Sequence, residues 1–246
     1  MLGVGISAVN IEEACGEIET AIHERRREYV CVAPVATIVD CQRDREYKKI
    51  VNDAYITTPD GMPVVWLGRL QGHKNVARTY GPDLLLAVCG YGQSRGYRHY
   101  FYGSRPETCE LLERKLKEKF PHLNMVGRYS PPFRELTVDE DRQIVDMINQ
   151  VKPDVLWVGL GSPKQDFWMA KHRDLLNVPI MVGVGAAFDF LSGVMPQAPV
   201  WMQRSGIEWL FRLCCEPKRL WRRYLIGNTL FVYWVVKECL FRRKKP

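Results

Sequence analysis

An aspartate next to a glycine in a predicted turn is the first candidate for a catalytic residue. Asp60 follows Thr57-Thr58-Pro59, at the end of a short β-branched run, and precedes Gly61-Met62-Pro63. A carboxylate at the end of a strand and ahead of a helix could act as a general base. The same aspartate could instead cap the helix or form an Asx turn, as Asp before Gly often does. The sequence leaves both roles open.

Three glycine-rich turns indicate a site for a phosphate-bearing ligand, because each ends a candidate strand and precedes a helix. Ligands bind at such carboxyl ends in open α/β sheets, where amides at helix starts can hold phosphate. No turn completes a GxGxxG pattern, so a nicotinamide cofactor is weakly supported. Each could be only a tight turn, but together they favour a nucleotide or a phosphosugar. The turns are Tyr102-Gly103-Ser104, Gly159-Leu160-Gly161-Ser162-Pro163 and Gly183-Val184-Gly185.

The carboxyl-terminal part of the chain carries the positive charge. The net charge is +7, and the residues from Trp201 onward have 11 Lys and Arg against three Glu, so the rest is nearly neutral. Arg212, Arg219 and Arg222 lie there at spacings of seven and three. Clustered guanidinium groups suit a diphosphate, because their planar donors engage phosphate oxygens bidentately. A solvated or membrane-facing basic helix would show the same pattern.

The remaining polar residues give weaker signals. Lys164 and Gln165 could hold a ligand, or they could be the polar start of a helix. The five histidines show no metal-ligating pair, and the chain has neither a P-loop nor a nucleophile elbow. The eight cysteines lack CxxC spacing and are predicted to be reduced, mostly buried thiols in a cytosolic environment. We therefore predict no metal site and no cofactor.

Short β-branched runs alternate with amphipathic helical patterns along residues 1–196. This alternation predicts an α/β fold whose parallel sheet is covered by helices on both faces. The predicted strands are Gly5–Val9, Tyr29–Val35, Ala54–Thr57, Arg98–Tyr102, Asn124–Tyr129, Val155–Gly159 and Ile180–Gly185. The predicted helices are Ile11–Arg26, Arg45–Asn52, Pro63–Leu70, Pro82–Tyr91, Pro106–Phe120, Thr137–Val151 and Lys164–Leu175. Ser104 is expected to cap the helix from Pro106, and Thr137 with Glu140 matches a capping box.

A basic, aromatic-rich segment replaces this alternation after residue 196. Residues 197–246 are predicted to form a helical appendage, broken near Pro217, beside the domain of residues 1–196. Its longest apolar stretch, Leu225 to Val236, is shorter than the about 20 residues that span a bilayer. The composition favours an anionic membrane surface as partner, and no nucleic acid. The apolar appendage could also be hidden in a homo-oligomer.

The segments that carry these residues resemble the WecG/TagA/CpsF glycosyltransferase family, also called glycosyltransferase family 26. The resemblance covers nearly the whole chain in order, and several of the motifs are long. The matching segments are Thr58 to Trp66, Tyr80 to Leu84, Gly159 to Asp166, Gly183 to Asp189 and a series of motifs between Ala198 and Tyr224.

The resemblance implies a Rossmann-like α/β domain with a carboxyl-terminal helical, membrane-binding appendage. It implies an inverting transferase that moves a sugar from a UDP donor to a polyprenyl-diphosphate-linked acceptor, without a metal ion, peripherally at the cytoplasmic face of the inner membrane. The expected products belong to bacterial surface polysaccharide or teichoic acid synthesis. The donor sugar stays open between an N-acetylmannosamine type, a hexose and a uronic acid.

The resemblance also implies roles for individual residues. Asp60 matches the proposed base, and Arg212, Arg219 and Arg222 match arginines that stabilise the departing UDP. The expected substrate-binding residues are Thr37, Gly61, Arg78, Asp83, Gly103, Gly161, Lys164, Gln165, Gly185 and Asp189. The chain departs from the family in lacking an Asn in segment 33–37 and in having Asp166 where Glu is usual. A non-catalytic UDP-sugar-binding subunit of a polysaccharide assembly complex is the alternative.

Overall fold

The computed structural model describes residues 1–242, with side chains to residue 240. Within that part of the chain, six strands form one sheet. They are β1 (Glu28–Ala33), β2 (Ile56–Pro59), β3 (Arg98–Gly103), β4 (Asn124–Tyr129), β5 (Val155–Gly159) and β6 (Ile180–Gly183). Their order is β2-β1-β6-β5-β3-β4, and every neighbouring pair is parallel. The predicted α/β class with a parallel sheet is confirmed.

Helices connect the strands and form the carboxyl-terminal part. They are α1 (Ile11–His23), α2 (Val35–Arg43), α3 (Arg45–Asn52), α4 (Met62–Leu70), α5 (Gly81–Arg95), α6 (Pro106–Lys119), α7 (Val138–Gln150), α8 (Lys164–His172), α9 (Ala187–Ser192), α10 (Val200–Arg204), α11 (Glu208–Cys215), α12 (Pro217–Trp221) and α13 (Gly227–Arg242). A π-helical turn, Arg222–Ile226, lies between α12 and α13.

Both faces of the sheet are covered, because side chains alternate along each strand between two cores. Val155 and Trp157 face a cluster formed with α1, α5, α6 and α9. Leu156 and Val158 face the opposite cluster, formed with α7 and α8. A third cluster joins α2, α3 and α4 to α13 through the buried Phe231. This third cluster attaches the last helix to the body of the protein.

Two predictions at the start of the chain are wrong. The segment Gly5–Val9 is not a strand: Ser7 exchanges two hydrogen bonds with Thr57 at the edge of β2, but no ladder continues from them. The strand predicted to reach Val35 ends at Ala33, because Pro34 is the N-cap residue of α2. Helix α2 was not predicted, since its β-branched residues favour a strand in isolation.

The predicted helix starts had mixed outcomes. Ser104 does not cap α6: Arg105 is the N-cap residue, and the Ser104 hydroxyl donates to Asp189 Oδ1 at 3.0 Å. The capping box of Thr137 and Glu140 is confirmed. The break near Pro217 is also confirmed, because α11 ends at Cys215 and α12 begins at Pro217.

All eight cysteines lie within the described residues and are free, as predicted, but Cys214, Cys215 and Cys239 are exposed rather than buried.

Along residues 1–242, no helix combines the length and the apolar character needed to cross a membrane. Of the basic residues counted in the tail, Arg243, Lys244 and Lys245 lie outside the described residues. The domain boundary at residue 196 stays a prediction.

Strands β3 and β5 lie so close together at Gly103 that one added methyl group should destabilise the folded protein. Gly103 has a φ of 128°, and a Cβ atom there would lie 2.6 Å from the Gly159 carbonyl group. Gly103→Ala should therefore lower the free energy of unfolding by about 3 kcal/mol, measured by chemical denaturation. Gly16→Ala is the matched control: it lies in α1 with open space around it and should stabilise by about 0.5 kcal/mol. Equal stability of the two variants would contradict this account.

Candidate active site

A cavity of about 720 Å³ opens at the carboxyl edge of the sheet. Residues that follow β1, β3, β5 and β6 line it, and so do residues of α11, α12 and the π-helical turn. Ligands of open α/β sheets bind at this edge. The sheet and the carboxyl-terminal helices therefore enclose one site between them.

Asp60 lines this cavity directly after β2. Its backbone N–H donates to the Ala33 carbonyl oxygen at 3.2 Å, which ties the turn to the end of β1. Gly61, with a φ of 90°, is the N-cap residue of α4, and it allows the sharp turn that a side chain would strain. The Asp60 side chain is thus not a helix cap, and 17% of it is exposed.

Burial raises the pKa of the Asp60 carboxyl to about 6. Arg78, whose Nε lies 3.6 Å from Asp60 Oδ1, opposes this rise and so does Arg212, whereas Glu208 and Asp83 add to it. The carboxyl is therefore mostly ionised at pH 7, but it takes up a proton more readily than an ordinary aspartate. A general base needs this combination.

Arg78 joins Asp60 to the carboxyl-terminal helices. Its Nη1 donates to Gln203 Oε1 at 2.7 Å, and its Nη2 pairs with the Glu208 carboxylate. Its guanidinium group lies 3.9 Å from the centre of the Tyr80 ring, and only 12% of the side chain is exposed. Gln203 belongs to α10 and Glu208 begins α11, so the two parts of the protein meet at this arginine.

Three arginines from the carboxyl-terminal helices line the cavity: Arg212, Arg219 and Arg223. The Nε atoms of Arg212 and Arg223 are buried and have no hydrogen-bond partner among the residues that the structure describes. Arg219 pairs with Glu216, which also lines the cavity. Unpaired guanidinium donors at a cavity wall are suited to an anion.

Arg222, which the sequence singled out, does not line the cavity. Its side chain is exposed, and its guanidinium group lies 5.1 Å from the centre of the Trp221 ring. Arg223 takes the position in the wall instead. Arg219 and Arg223 are four residues apart and lie on one face of the helical segment that begins at Pro217, whereas Arg212 comes from α11, before the break.

The side chain of Gln165 forms hydrogen bonds with two of the glycine-rich turns. Its Oε1 accepts hydrogen bonds from the N–H groups of Gly161, at 3.1 Å, and Gly185, at 2.9 Å. Its Nε2 donates to the Ser162 hydroxyl at 3.2 Å, and the residue is 1% exposed. The two amides that the glycine pattern offered to a phosphate are therefore engaged by this side chain. Gln165 shapes the cavity floor, and the arginines are left to hold an anion.

The other predicted binding residues divide between the cavity and its surroundings. Lys164 and Asp189 line the cavity, and Asp189 Oδ1 accepts a hydrogen bond from Ser104. Thr37 is fully buried outside the lining, and its hydroxyl has no partner within residues 1–240. Asp83 is exposed on the first turn of α5. Gly103 is outside the lining, and it allows the close approach of β3 to β5.

Sequence reasoning missed several residues of the site. Arg105 and Phe133 line the cavity. Phe133 follows two prolines in a loop, and it is 81% exposed. Arg223 could have been found from its spacing to Arg219. Gln203 stands in one of the matching motifs, but the motif does not reveal its contact with Arg78, which is 125 residues away.

Among the described residues, no group of three His, Cys, Asp or Glu side chains is arranged to hold a metal ion. The positive charges at the cavity are those of arginines and Lys164. An anionic ligand with a reacting group near Asp60 fits this arrangement of charges.

Comparison with known proteins decides the family. A model of the glycosyl transferase WecG/TagA/CpsF family matches residues 1–245. The chain belongs to this family. The resemblance stated from the sequence motifs is thereby confirmed, and a glycosyltransferase is the class of enzyme that the family describes.

Three similar proteins have the same name, N-acetylglucosaminyldiphosphoundecaprenol N-acetyl-beta-D-mannosaminyltransferase. The protein from Bacillus spizizenii is 29% identical over 206 residues, which cover 84% of this chain and 78% of the relative. The one from Bacillus subtilis is 29% identical over 196 residues, covering 80% and 74%. One from Staphylococcus aureus is 26% identical over 191 residues, covering 78% and 72%.

The contacts of Gln165 predict a stability effect that is specific to its position. Gln165→Leu leaves the N–H groups of Gly161 and Gly185 without their acceptor, so it should lower the free energy of unfolding by about 2 kcal/mol. Urea denaturation measures this change. The same substitution at the exposed Gln150 should stay within about 0.5 kcal/mol of the wild type. If Gln165→Leu lowers the free energy of unfolding no more than Gln150→Leu does, the hydrogen bonds of Gln165 do not stabilise the two turns as described.

Proposed function

We propose that this protein is an inverting glycosyltransferase that moves a sugar from a UDP donor to a polyprenyl-diphosphate-linked acceptor. The observation that carries the proposal is the cavity in which one buried carboxylate, Asp60, and three arginines, Arg212, Arg219 and Arg223, are enclosed together. A base and a cluster of phosphate-binding cations are the two components that such a transfer requires.

The proposed reaction is a single displacement. The Asp60 carboxylate accepts the proton of the acceptor hydroxyl as its oxygen forms a bond to the anomeric carbon of the donor sugar. The bond between that carbon and the β-phosphate oxygen of UDP breaks, and UDP leaves with the electron pair. Attack from the side opposite to UDP inverts the anomeric configuration. Arg212, Arg219 and Arg223 supply positive charge where the leaving diphosphate gains negative charge.

The names of the similar proteins support the proposed classes of donor and acceptor. An N-acetylglucosamine unit on diphosphoundecaprenol is the acceptor in that name, and an N-acetylmannosaminyl group is transferred. We propose a polyprenyl-diphosphate-linked acceptor of this class for the present protein, in bacterial surface polysaccharide or teichoic acid synthesis. The donor sugar is of the N-acetylmannosamine type, with a hexose or a uronic acid as alternatives, because segment 33–37 lacks the Asn of many members.

The carboxyl-terminal helices support a peripheral position at the cytoplasmic face of the inner membrane. Trp201, Leu225, Ile226 and Val232 are exposed apolar side chains in this region. Basic residues lie among them, and each contributes about 1 kcal/mol near an anionic leaflet. The acceptor lipid would stay in the bilayer while the soluble donor enters the cavity from the cytosol. A homo-oligomer stays a prediction.

The proposal predicts donor-dependent and acceptor-dependent release of UDP. The measurement is a UDP-release assay with a panel of UDP-sugars and a polyprenyl-diphosphate-linked acceptor in liposomes. Because the base must be ionised, kcat/KM should rise with pH through about 6, the raised pKa of Asp60. Asp60→Asn should lower kcat at least about 100-fold, since a positioned base contributes that much.

UDP binding by Asp60→Asn is the control in this experiment, and calorimetry should give a Kd close to that of the wild type. Full activity of the variant would contradict the proposed role of Asp60. UDP binding without release from any donor, in the wild type itself, would instead favour the non-catalytic UDP-sugar-binding subunit.

The neighbouring arginines give a matched pair of variants. Arg223→Gln removes a guanidinium group from the cavity wall, so we expect about a 100-fold loss of kcat with the fold intact. Arg222→Gln removes an exposed guanidinium group at Trp221 and should change kcat less than about threefold. Steady-state kinetics at saturating donor measures both. The reverse order of losses would contradict the assignment of Arg223 to the leaving group.

A further inference from the structure

Arg78 lies between two carboxylates but binds only one of them closely. Its Nη2 pairs with Glu208 and its Nη1 donates to Gln203, whereas its Nε is 3.6 Å from Asp60 Oδ1. A separation of 3.6 Å is too long for a hydrogen bond. Arg78 therefore lowers the negative potential at Asp60 without binding its oxygens.

The Nε atom of Arg78 is buried and has no hydrogen-bond partner among the described residues. Pairs of a guanidinium group and a carboxylate are frequently bidentate, with two parallel hydrogen bonds. Gln203 and Glu208 occupy the outer nitrogen atoms of the guanidinium group, so the arginine cannot turn both of them toward Asp60. Arg78 therefore makes close contacts with Gln203 and Glu208 but not with the Asp60 carboxylate.

The turn between α10 and α11 fixes Gln203 and Glu208 relative to Asp60. Gly206 in this turn has a φ of 75°, and a Cβ atom there would lie 2.7 Å from the Trp66 ring and 3.2 Å from Met62 Cβ. Met62 begins α4, two residues after Asp60. The turn thus packs tightly against the segment that carries Asp60.

We propose that Gln203 and Glu208 are positioning residues that hold Arg78 away from Asp60, so that the carboxylate stays free to accept a proton. This inference rests on the proposed role of Asp60 as the base. Neither residue needs to contact the donor or the acceptor.

The charged and titratable groups around Asp60 define the direction of the effect. They are Arg78, Tyr80, Asp83, Glu208, Arg212 and Tyr224. Glu208→Gln removes one negative charge and releases Arg78 toward Asp60. Both changes favour the ionised carboxylate, so both lower the pKa of Asp60. A carboxylate with a lower pKa is also a weaker base.

The test is the pH dependence of kcat/KM and kcat for the full-length wild type, Glu208→Gln and Asp60→Asn in liposomes that contain the lipid acceptor. For Glu208→Gln we expect the acidic limb of kcat/KM to move about one pH unit below that of the wild type. The plateau kcat should fall about tenfold, and the KM for the donor should change less than twofold. Glu208→Asp should restore most of the wild-type limb, because it keeps the charge.

Two further variants separate positioning from folding. Glu113→Gln removes the same charge from an exposed pair with Lys117 and Arg128 and should leave the profile unchanged. Gln203→Leu releases Arg78 without a change of charge and should move the limb in the same direction by a smaller amount. It provides the test if Glu208→Gln does not fold, as judged by circular dichroism.

The outcomes separate the inference from the proposed function. A wild-type acidic limb near pH 6 and an inactive Asp60→Asn, with no movement of the limb in Glu208→Gln or Gln203→Leu, would overturn the positioning role alone. An active Asp60→Asn, or a wild type without this limb, would overturn the base and the positioning role together. Movement of the limb to higher pH would show that Glu208 acts in the opposite sense and would also overturn the inference.

Discussion

The removal of the Asp60 carboxylate from water is the constraint on which the rest of the site depends. An ionised carboxylate that loses its hydration takes up a proton unless other charges compensate. Arg78 at 3.6 Å and Arg212 compensate in part, which leaves the pKa near 6 rather than far above it. Helix α10 carries Gln203, and helix α11 carries Glu208 and Arg212. The charges that compensate for the burial of Asp60 therefore come from both parts of the chain, Arg78 from the α/β part and Arg212 from α11.

The parallel sheet supplies a rigid floor for this arrangement. Because the strands all run in one direction, the turns after β1, β3, β5 and β6 meet at one edge. Gln165 braces the turns at Gly161 and Gly185, and the close approach of Gly103 to Gly159 holds β3 against β5. The amides of Gly161 and Gly185 are thereby engaged within the protein, which is why we propose the arginines of the carboxyl-terminal helices, and not these turns, as the groups that bind the diphosphate.

More of the fold than of the site could be predicted from the sequence. The alternation of strand-like and helix-like segments predicted the parallel sheet. Gly5–Val9 is not a strand, because its contact with the edge of β2 stops after two hydrogen bonds, and α2 is a buried helix although its β-branched residues favour a strand. Asp60 and Arg212 stand in recognisable motifs. Arg78 acts through residues 125 and 130 positions away, and no local pattern reveals such a contact.

The most direct test of the account is the pKa of Asp60 itself. Carbon-13 NMR of the full-length protein, labelled at aspartate carboxyl groups and assigned with Asp60→Asn, follows this one group through a pH titration. The account predicts a midpoint at about 6, because burial outweighs the nearby arginines. A midpoint near 4, the ordinary value of an aspartate, would contradict it.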